Sequence, residues 1–407
     1  MRITFLSHTA MGGTFVVGSH HLAKALQVLG HEVTHVSAPV SAAHVVASVK
    51  DRFIRTRLRR WLSGGVVVDG VKDVVPFTLV PWPLARASPR LMNSYSRLMF
   101  ASPTQRSPLR FLGEHSACLI VDEPRFAGLV AHKCTCPVVY RATDLYGALR
   151  NDPKIIDAER LICSHAHLLV ATSARVAEHL RNLSGKSVHI ITNGVDVDHF
   201  AGIGSGAAAG HFELPGQRSD RAVYVGAFDR RFSLEAFRSA AAMLPDKYFI
   251  LAGPGSNDVA AALSLRNVLA LGAVPYPVLP DILQRCAVGL LPMSGNAANE
   301  GRSPMKFYEY AAAGACVAAT ASEELERRHL PTLCVSRSED EFHLAVAEAF
   351  ERGKDASLVH DARELARSED WKGKAKELLG LIAAGSIEMS ASPSGPVVST
   401  EHGAQVG

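Results

Sequence analysis

Short apolar runs of four to six residues alternate along this chain with longer stretches whose apolar positions recur every three or four residues. The first run, residues 3–7, leads into a glycine turn, a predicted helix over 15–29 and a second run at 33–37. Such runs are typical of strands buried on both faces, and the amphipathic stretches between them are typical of helices. The pattern therefore predicts an α/β fold built on parallel sheets. Further predicted strands in this half lie at 118–121, 138–140, 168–171 and 188–191.

The same alternation resumes after a glycine-rich stretch, with predicted strands at 222–225, 249–251, 268–271 and 287–290. Residues 201–218 contain many small residues and are predicted to form a flexible linker. Because 407 residues exceed one ordinary core, we expect two doubly wound Rossmann-like domains facing a cleft, over 1–200 and 219–360. Residues 385–407 are rich in Ser, Pro and Gly and are predicted to be disordered.

One predicted helix carries the pattern of a phosphate site. Ser303 is a favourable N-cap residue, Pro304 suits the first helical position, and Gly314 suits a left-handed C-cap. The free N–H groups of the first turn favour an anion, and Lys306 adds a full charge there. Glu309, one turn on, is placed to accept hydrogen bonds from ribose hydroxyls.

The alternative is an ordinary amphipathic helix with a solvated Lys–Glu pair. Apolar runs at 287–292 and 315–320 flank the segment, however, and both are predicted to be buried strands. A helix that begins at the carboxyl end of a parallel strand lies where open α/β sheets bind ligands. The flanking strands therefore favour the ligand-binding interpretation.

Three segments give the chain a resemblance to a known family. The order Pro-x-Lys-x-x-Glu-Tyr-x-Ala-x-Gly over 304–314 resembles the donor-nucleotide segment of glycosyltransferases with the two-domain GT-B architecture. Residues 193–196, Asn-Gly-Val-Asp, resemble the turn that ends the first domain of that family. Residues 140–144, Tyr-Arg-Ala-Thr-Asp, are similar to a segment of the membrane-associated bacterial glucuronosyltransferases of the GumK type, which build exopolysaccharide on lipid carriers.

The resemblance implies a fold, an activity and a location. It implies a GT-B fold, with helices over 361–384 that cross back onto the first domain. It also implies transfer of a sugar, with glucuronic acid as a candidate, from a UDP-sugar donor to a polyprenyl-diphosphate-linked glycan. Such an enzyme is expected in the cytoplasm, peripheral on the inner face of the cell membrane.

The resemblance also implies a catalytic base. Asp144 follows a predicted strand, and in the GumK-type enzymes the aspartate of the similar segment takes the proton from the acceptor hydroxyl. The alternative is that Asp144 caps the turn after the strand, and Asp122, Glu123 and His8 are rival bases. The residues expected on the acceptor side are Gly12, Gly13, His8 and Arg141.

The stereochemical outcome can also be anticipated. Many retaining enzymes of this architecture carry two glutamates with seven residues between them, whereas Glu300 and Glu309 have eight between them and no Gly-Phe-Gly. This spacing favours inversion with Asp144 as the base. Other possibilities are a retaining hexosyltransferase, a nucleotide-sugar epimerase, or a peripheral membrane protein that binds a nucleotide without catalysis.

Further donor contacts are expected from the second domain, and neither a metal nor a cofactor is expected. Asp196 and Asp198 spell the D-x-D of metal-dependent glycosyltransferases, but turn and capping roles explain them equally well. The full set of expected donor-binding residues is Ser303, Met305, Lys306, Glu309, Arg230, Gly226 and Gly253.

The net charge of +4 conceals a strongly basic region in the first domain. Residues 50–110 hold twelve Lys/Arg and three Asp, and they include amphipathic patterns over 45–62 and 91–99. Basic amphipathic helices with Trp and Phe suit an anionic membrane surface, although the apolar stripes are also able to pack on the domain's own sheet. Nucleic acid is not expected, because no aromatic stacking platform accompanies the charge.

Cysteine use and hydropathy agree with a cytoplasmic protein. The seven cysteines form no C-x-x-C pair or zinc spacing, which is typical of a reducing compartment. No signal-peptide pattern opens the chain, and no apolar run reaches the roughly 18 residues of a spanning helix.

Overall fold

A computed structural model describes residues 1–13, 15–48, 51–95, 98–103, 116–131, 136–202, 212–328 and 330–391. In these residues the first half of the chain forms an eight-stranded sheet in the order β11-β10-β9-β8-β1-β2-β5-β4. Neighbouring strands are parallel except β4, which pairs antiparallel with β5. The strands are β1 (Arg2–Leu6), β2 (Glu32–Val36), β4 (Val66–Val68), β5 (Val71–Val74), β8 (Cys118–Val121), β9 (Val138–Ala142), β10 (Leu168–Ala171) and β11 (His189–Ile190).

The second half forms a six-stranded parallel sheet, in the order β14-β13-β12-β15-β16-β17 over the described residues. Its strands are almost entirely apolar because helices cover both faces. These strands are β12 (Arg221–Val225), β13 (Tyr248–Ala252), β14 (Val268–Gly272), β15 (Val288–Leu291), β16 (Cys316–Thr320) and β17 (Leu333–Ser336).

Helices connect the strands of both sheets. In the first half they are α1 (Gly18–Val28), α2 (Ala42–Ala47), α3 (Arg52–Leu62), α4 (Trp82–Ala85), α5 (Pro89–Tyr95), α6 (Ala127–Val130), α7 (Tyr146–Arg150), α8 (Ile155–His165), α9 (Ala174–Ser184) and α10 (Val197–Ala201). In the second half they are α11 (Leu234–Met243), α12 (Ser256–Leu263), α13 (Leu279–Gln284), α14 (Met305–Ala312), α15 (Glu323–Glu326), α16 (Phe342–Arg352), α17 (Ala356–Ser368) and α18 (Trp371–Ala391). Single 3₁₀ turns lie at Pro124–Phe126, Arg218–Asp220, Tyr276–Val278 and Ala297–Asn299.

The chain crosses between the two halves twice, and the two crossing segments are hydrogen-bonded to each other. Val195 N–H donates to Glu369 O at 3.0 Å, and Trp371 N–H donates to Val195 O at 3.2 Å. After this crossing α18 packs on α1, where Trp371 and Leu378 enter the core formed by Ile3 and Leu22. The final helix therefore stabilises the first sheet although it follows the second.

The α/β fold with two parallel sheets agrees with the sequence prediction, but the C-terminal segment differs in detail. Helix α18 continues to Ala391, so residues 385–391 are helical where disorder was predicted. The rest of that predicted tail, and residues 203–211 of the predicted linker, lie outside the described residues. No helix in the described part of the chain combines the length and apolar content needed to cross a membrane.

The basic region is built around a small third sheet of β3 (Val40–Ser41), β6 (Phe77–Thr78) and β7 (Met99–Phe100). Helix α3 packs against it through Leu58 and Trp61, and the Trp61 ring stacks on Phe77 at 4.7 Å. Its opposite side is exposed and carries Phe53 and Leu62. The predicted apolar stripe is thus divided between the core and the surface.

Part of the positive charge in this region has structural partners. Arg57 donates to Ala38 O, Arg60 pairs with the buried carboxylate of Asp73, and Arg86 pairs with Asp152. These three arginines therefore have structural roles within the domain. Four other cations of the region, Lys50, Arg97, Arg106 and Arg110, lie outside the described residues.

Candidate active site

Helix α14 lies between two buried strands of the second sheet, as the sequence predicted, but its start differs. Its first residue is Met305, with Pro304 in the flanking extended conformation. Ser303 is not an N-cap: its hydroxyl accepts from Asn193 N–H at 3.2 Å and from Arg328 at 2.7 Å. Gly314 has a φ of +80°, the left-handed conformation expected at the end of the helix.

Lys306 and Glu309 form an ion pair within this helix. Lys306 Nζ lies 2.5 Å from Glu309 Oε2, and the two side chains are 26% and 2% exposed. Lys306 lines the space between the two sheets, whereas the Glu309 carboxylate is buried beneath it. Lys306 is therefore accessible to a ligand, and the role of Glu309 as a ribose acceptor stays a prediction.

A cavity of about 480 Å³ separates the carboxyl edges of the two sheets, and we call it the interdomain cleft. It brings together Lys306, Met305 and Gly226, expected at the donor, and His8, expected on the acceptor side. Their contacts with substrate stay predictions. Its remaining lining residues are Thr9, Phe15, Val16, Val17, Tyr224, Val225, Ala227, Asp229, Arg231, Leu291, Pro292, Met293, Arg302 and Pro304.

Three cations, Lys306, Arg231 and Arg302, converge on the interdomain cleft, and nothing in the sequence indicated a role for Arg302. Arg302 Nε lies 3.9 Å from Asp144 Oδ1, and burial lowers the pKa of Arg302 from its ordinary value. The Arg231 guanidinium is held by Asp229, to which it donates from Nε at 2.9 Å and 3.1 Å and from Nη2 at 2.6 Å. The Arg302–Asp144 contact depends on chain segments about 160 residues apart, so no local signal indicated it.

Arg230, expected at the donor, does not line the interdomain cleft but an adjoining space that also holds Asp144. Its guanidinium crosses to the first half and donates to Ala148 O at 2.9 Å and to Leu149 O at 2.5 Å. These carbonyls belong to the last turn of α7, where a cation is favourable. Arg230 thus stabilises the contact between the two halves, and its neighbour Arg231 is the arginine that faces the interdomain cleft.

Asp144 opens onto an adjoining space of about 660 Å³ that it shares with His8, Arg150 and Arg231. Desolvation raises the pKa of Asp144, while Arg302 and a 3.2 Å hydrogen bond from Thr143 oppose that rise. A carboxylate in this setting is available to a ligand between the sheets. The position suits either a proton acceptor or an anchor for Arg302.

His8 faces the same space as a neutral imidazole. Burial lowers its pKa to about 4, so it carries no charge between pH 5 and pH 8. Its Nδ1 atom is buried and has no hydrogen-bond partner among the described residues. His8 therefore offers one unsatisfied ring nitrogen at the boundary of the interdomain cleft.

The two rival carboxylates, Asp122 and Glu123, are buried and paired with arginines. Asp122 is 1% exposed and accepts a 2.6 Å hydrogen bond from Arg141, which is itself 2% exposed. Burial alone would raise the pKa of Glu123, but Arg125 and Arg150 hold that pKa well below its usual range. Neither carboxylate is accessible, and the expected acceptor-side role of Arg141 is wrong because its guanidinium is committed to Asp122 and Asn193.

The glycines expected at the site divide into two groups. Gly12 and Gly13 line a second cavity of about 440 Å³, which faces residues 273–277 of the other half. Gly12 has a φ of +68°, so the turn itself requires glycine there. A Cβ at Gly253 would lie 2.0 Å from Gly226 O, and Gly253 therefore packs behind the Gly226 turn.

The two aspartates of the D-x-D sequence serve the junction between the halves. Asp196 accepts from His199 N–H at 3.2 Å at the start of α10 and pairs with Lys24 at 3.2 Å. Asp198 pairs with Lys372 at 2.9 Å. These contacts correspond to the capping and turn roles considered from the sequence.

Residues 219–352 match the protein family described as glycosyl transferases group 1. A further match is TuaH of Bacillus subtilis (strain 168), a protein assigned as a glycosyltransferase of teichuronic acid biosynthesis, with 22% identity over 193 residues. That alignment covers 46% of this chain and 48% of TuaH, so it spans about half the length of the relative.

Solved structures share the fold over almost the whole chain. Sucrose-phosphate synthase from Thermosynechococcus elongatus superposes with a TM-score of 0.70 at 15% identity, covering 96% of this chain and all of the other. Anabaena HepE, solved with UDP and glucose, superposes with a TM-score of 0.67 at 14% identity, covering 94% of this chain and all of HepE. The chain has the GT-B fold. The match to group 1 glycosyl transferases favours retention over the inversion expected from the glutamate spacing.

Proposed function

We propose that this protein transfers a sugar from a UDP-sugar to a hydroxyl of its acceptor and retains the anomeric configuration. The observation that carries the proposal is the convergence of Lys306, Arg231 and Arg302 on one cleft, all three within the residues that match group 1 glycosyl transferases. A nucleoside diphosphate leaving group develops negative charge, which preorganised cations stabilise without a metal. HepE, which shares the fold, was solved with UDP and with UDP-glucose.

Retention changes the role proposed for Asp144. A single displacement with an external base inverts the anomeric carbon, so Asp144 acting as the base conflicts with a retained product. We propose instead that the acceptor enters on the face from which the diphosphate leaves, and that the departing phosphate oxygen takes the proton. Asp144 then orients Arg302, whose Nε lies 3.9 Å from the carboxylate.

The anomeric configuration of the product and the activity of Asp144→Asn together test this mechanism. An α-linked donor is expected to give an α-linked product with a small anomeric proton coupling, and Asp144→Asn is expected to keep at least a tenth of the wild-type rate. An inverting base would give a β-linked product and lose about 10²–10⁴ in rate. The matched control is Asp157→Asn, an exposed carboxylate paired with Arg160 on α8. A β-linked product contradicts the proposed retention.

The donor is to be identified by ligand-induced stabilisation. A ligand that binds the native state raises its melting temperature, and at one ligand concentration the rise is larger for a smaller dissociation constant, so a panel of UDP-, GDP- and dTDP-sugars ranks the donors. UDP-glucuronic acid belongs in the panel, because residues 140–144 are similar to a segment of the GumK-type glucuronosyltransferases. We propose a UDP-sugar, with glucuronic acid as the first candidate sugar.

The acceptor is proposed to be a polyprenyl-diphosphate-linked glycan at the inner face of the cell membrane. TuaH, assigned to teichuronic acid biosynthesis, supports a polysaccharide product. An exposed surface of α3 formed by Phe53, Arg55, Arg59 and Leu62, here called the basic apolar face, suits an anionic lipid surface. Buried thiols such as Cys163 and Cys286 agree with a reducing compartment.

Vesicle binding tests the basic apolar face. The double variant Arg55→Gln/Arg59→Gln is expected to bind anionic vesicles about 30-fold more weakly, because each basic residue near such a surface contributes about 1 kcal/mol. The matched control is Arg160→Gln/Arg238→Gln, which removes the same charge from two exposed helical positions elsewhere. Equal binding of both double variants would show that α3 does not contact lipid. Sedimentation with vesicles at several salt concentrations supplies the measurement.

A further inference from the structure

Asn193 connects the first half of the chain to the segment that precedes the proposed phosphate-binding helix. Its Nδ2 atom donates to Ser303 O at 2.8 Å, and its backbone N–H donates to Ser303 Oγ at 3.2 Å. We propose that Asn193 is a positioning residue. It holds residues 301–304, here called the donor loop, at a fixed position relative to the first half. The inference rests on the proposed function, because its consequence is the placement of Lys306 and Arg302.

Asn193 is itself held by a buried ion pair of the first sheet. Its Oδ1 accepts from Arg141 Nη2 at 3.0 Å, and Arg141 Nη1 donates to Asp122 at 2.6 Å. A Cβ at Gly18 would lie 2.8 Å from Asn193 Oδ1 and 3.0 Å from Arg141 Nη2, so only glycine leaves room for this arrangement. Asn193 is thus oriented by the core of the first half and has little freedom to turn away.

The donor loop is held from its other side as well. Arg328 Nη2 donates to Ser303 Oγ at 2.7 Å and to Glu324 at 3.0 Å, and its guanidinium lies over the Tyr308 ring at 5.2 Å. Glu324 in turn accepts from the backbone N–H of Ala174, at the start of α9 in the first half, at 3.2 Å. Asn193 of the first half is therefore hydrogen-bonded to Ser303. Ser303 is connected through Arg328 and Glu324 to Ala174, which again belongs to the first half.

This closed path gives Ser303 a role in the geometry of the site. Ser303 is 5% exposed and its hydroxyl is already hydrogen-bonded to Asn193 and Arg328, so the side chain is hardly accessible to a ligand. Arg302 and Lys306, which line the interdomain cleft, lie one residue before and three residues after it. A shift of the loop by about 1 Å displaces both cations together, and displacements of that size are able to cost about 10²-fold in rate.

The test compares Asn193→Ala with Thr192→Ala, a neighbour at the same junction. Thr192 donates to Glu369 at 3.1 Å and accepts from Lys374 at 3.0 Å, so its replacement also removes two hydrogen bonds at this junction but none to Ser303. Asn193→Ala is expected to lower kcat between about 10-fold and 100-fold with KM for the UDP-sugar within about threefold of wild type. Thr192→Ala is expected to keep kcat within about threefold of wild type.

Two further measurements separate positioning from general destabilisation. Amide hydrogen exchange over residues 301–306 is expected to be faster in Asn193→Ala than in Thr192→Ala, and this readout does not depend on activity. Asn193→Asp keeps the acceptor for Arg141 but loses the donor to Ser303 O, so it is expected to resemble Asn193→Ala. Equal exchange and equal kcat in the Asn193 and Thr192 variants would overturn the inference.

The outcome also distinguishes this inference from the proposed function. If wild-type protein neither binds nor turns over any UDP-sugar, the proposed function fails. The exchange comparison is still decisive for the donor loop in that case. If wild-type protein is active and Asn193→Ala is equally active, the positioning inference fails and the proposed function stands.

Discussion

Lys306→Met is expected to lower kcat/KM for the UDP-sugar by about 10²–10³-fold, the loss typical of removing one group that stabilises developing negative charge. Lys306 lines the interdomain cleft and is 26% exposed, so a diphosphate is able to reach its ammonium group. The loss is expected mainly in kcat, because charge on the departing diphosphate grows in the transition state. Steady-state kinetics with the donor identified by the panel provide the measurement.

The control for Lys306→Met must account for Glu309. The single variant leaves a carboxylate that is 2% exposed without the cation 2.5 Å away, and an unpaired buried charge destabilises the fold. The double variant Lys306→Met/Glu309→Gln removes that charge, so it is expected to recover stability without recovering activity. Lys24→Met removes a lysine paired with Asp196 at the second cavity and serves as the matched control. Wild-type kinetics in the double variant would rule out phosphate binding by Lys306.

The parts of the fold that sequence predicted well depend on local pattern. Uninterrupted apolar runs such as 118–121 and 288–291 are strands because helices cover both of their faces, and the sequence shows this directly. Gly314 ends α14 because the left-handed conformation favours glycine, which is again a local requirement. Two parallel sheets followed from these signals.

The short strands of the basic region could not be predicted in the same way. Strands β3, β6 and β7 have two residues each, too few to show a period of two. The amphipathic pattern of 45–62 indicated helix, and the described residues there belong to two helices, α2 ending at Ala47 and α3 beginning at Arg52. The pattern could not tell which apolar residues face inward. Trp61 is placed by Phe77, a residue that only the folded chain brings to it.

The same distinction between local pattern and contacts made only on folding explains which residues of the candidate site the sequence indicated. Lys306, Gly226 and His8 were found because each follows a strand at the carboxyl edge of its sheet. Ser303 was misassigned because an N-cap signal is local, whereas its actual partner Asn193 is 110 residues away. Arg230 and Arg231 are adjacent in sequence, and only the approach of α7 determines which one faces the interdomain cleft.

Arg141→Met is expected to destabilise the protein by about 3–5 kcal/mol, because it leaves the Asp122 carboxylate buried without its cation. Asp122 is 1% exposed, and its Oδ1 atom has no hydrogen-bond partner among the described residues even with Arg141 present. For a domain of roughly 200 residues this loss corresponds to a melting temperature about 6–20 °C lower. Thermal unfolding followed by circular dichroism measures the shift.

The double variant Arg141→Met/Asp122→Leu separates this structural role from contact with the acceptor. Replacing both charges by apolar groups of similar size is often neutral for stability, so the double variant is expected to unfold near the wild-type temperature. Its KM for the acceptor is expected to equal that of wild type, since Arg141 is only 2% exposed and faces Asp122 and Asn193. Its kcat is expected to fall, because Asn193 loses the hydrogen bond that orients it toward Ser303. A raised acceptor KM in the stable double variant would instead restore the acceptor-side role that the sequence suggested for Arg141.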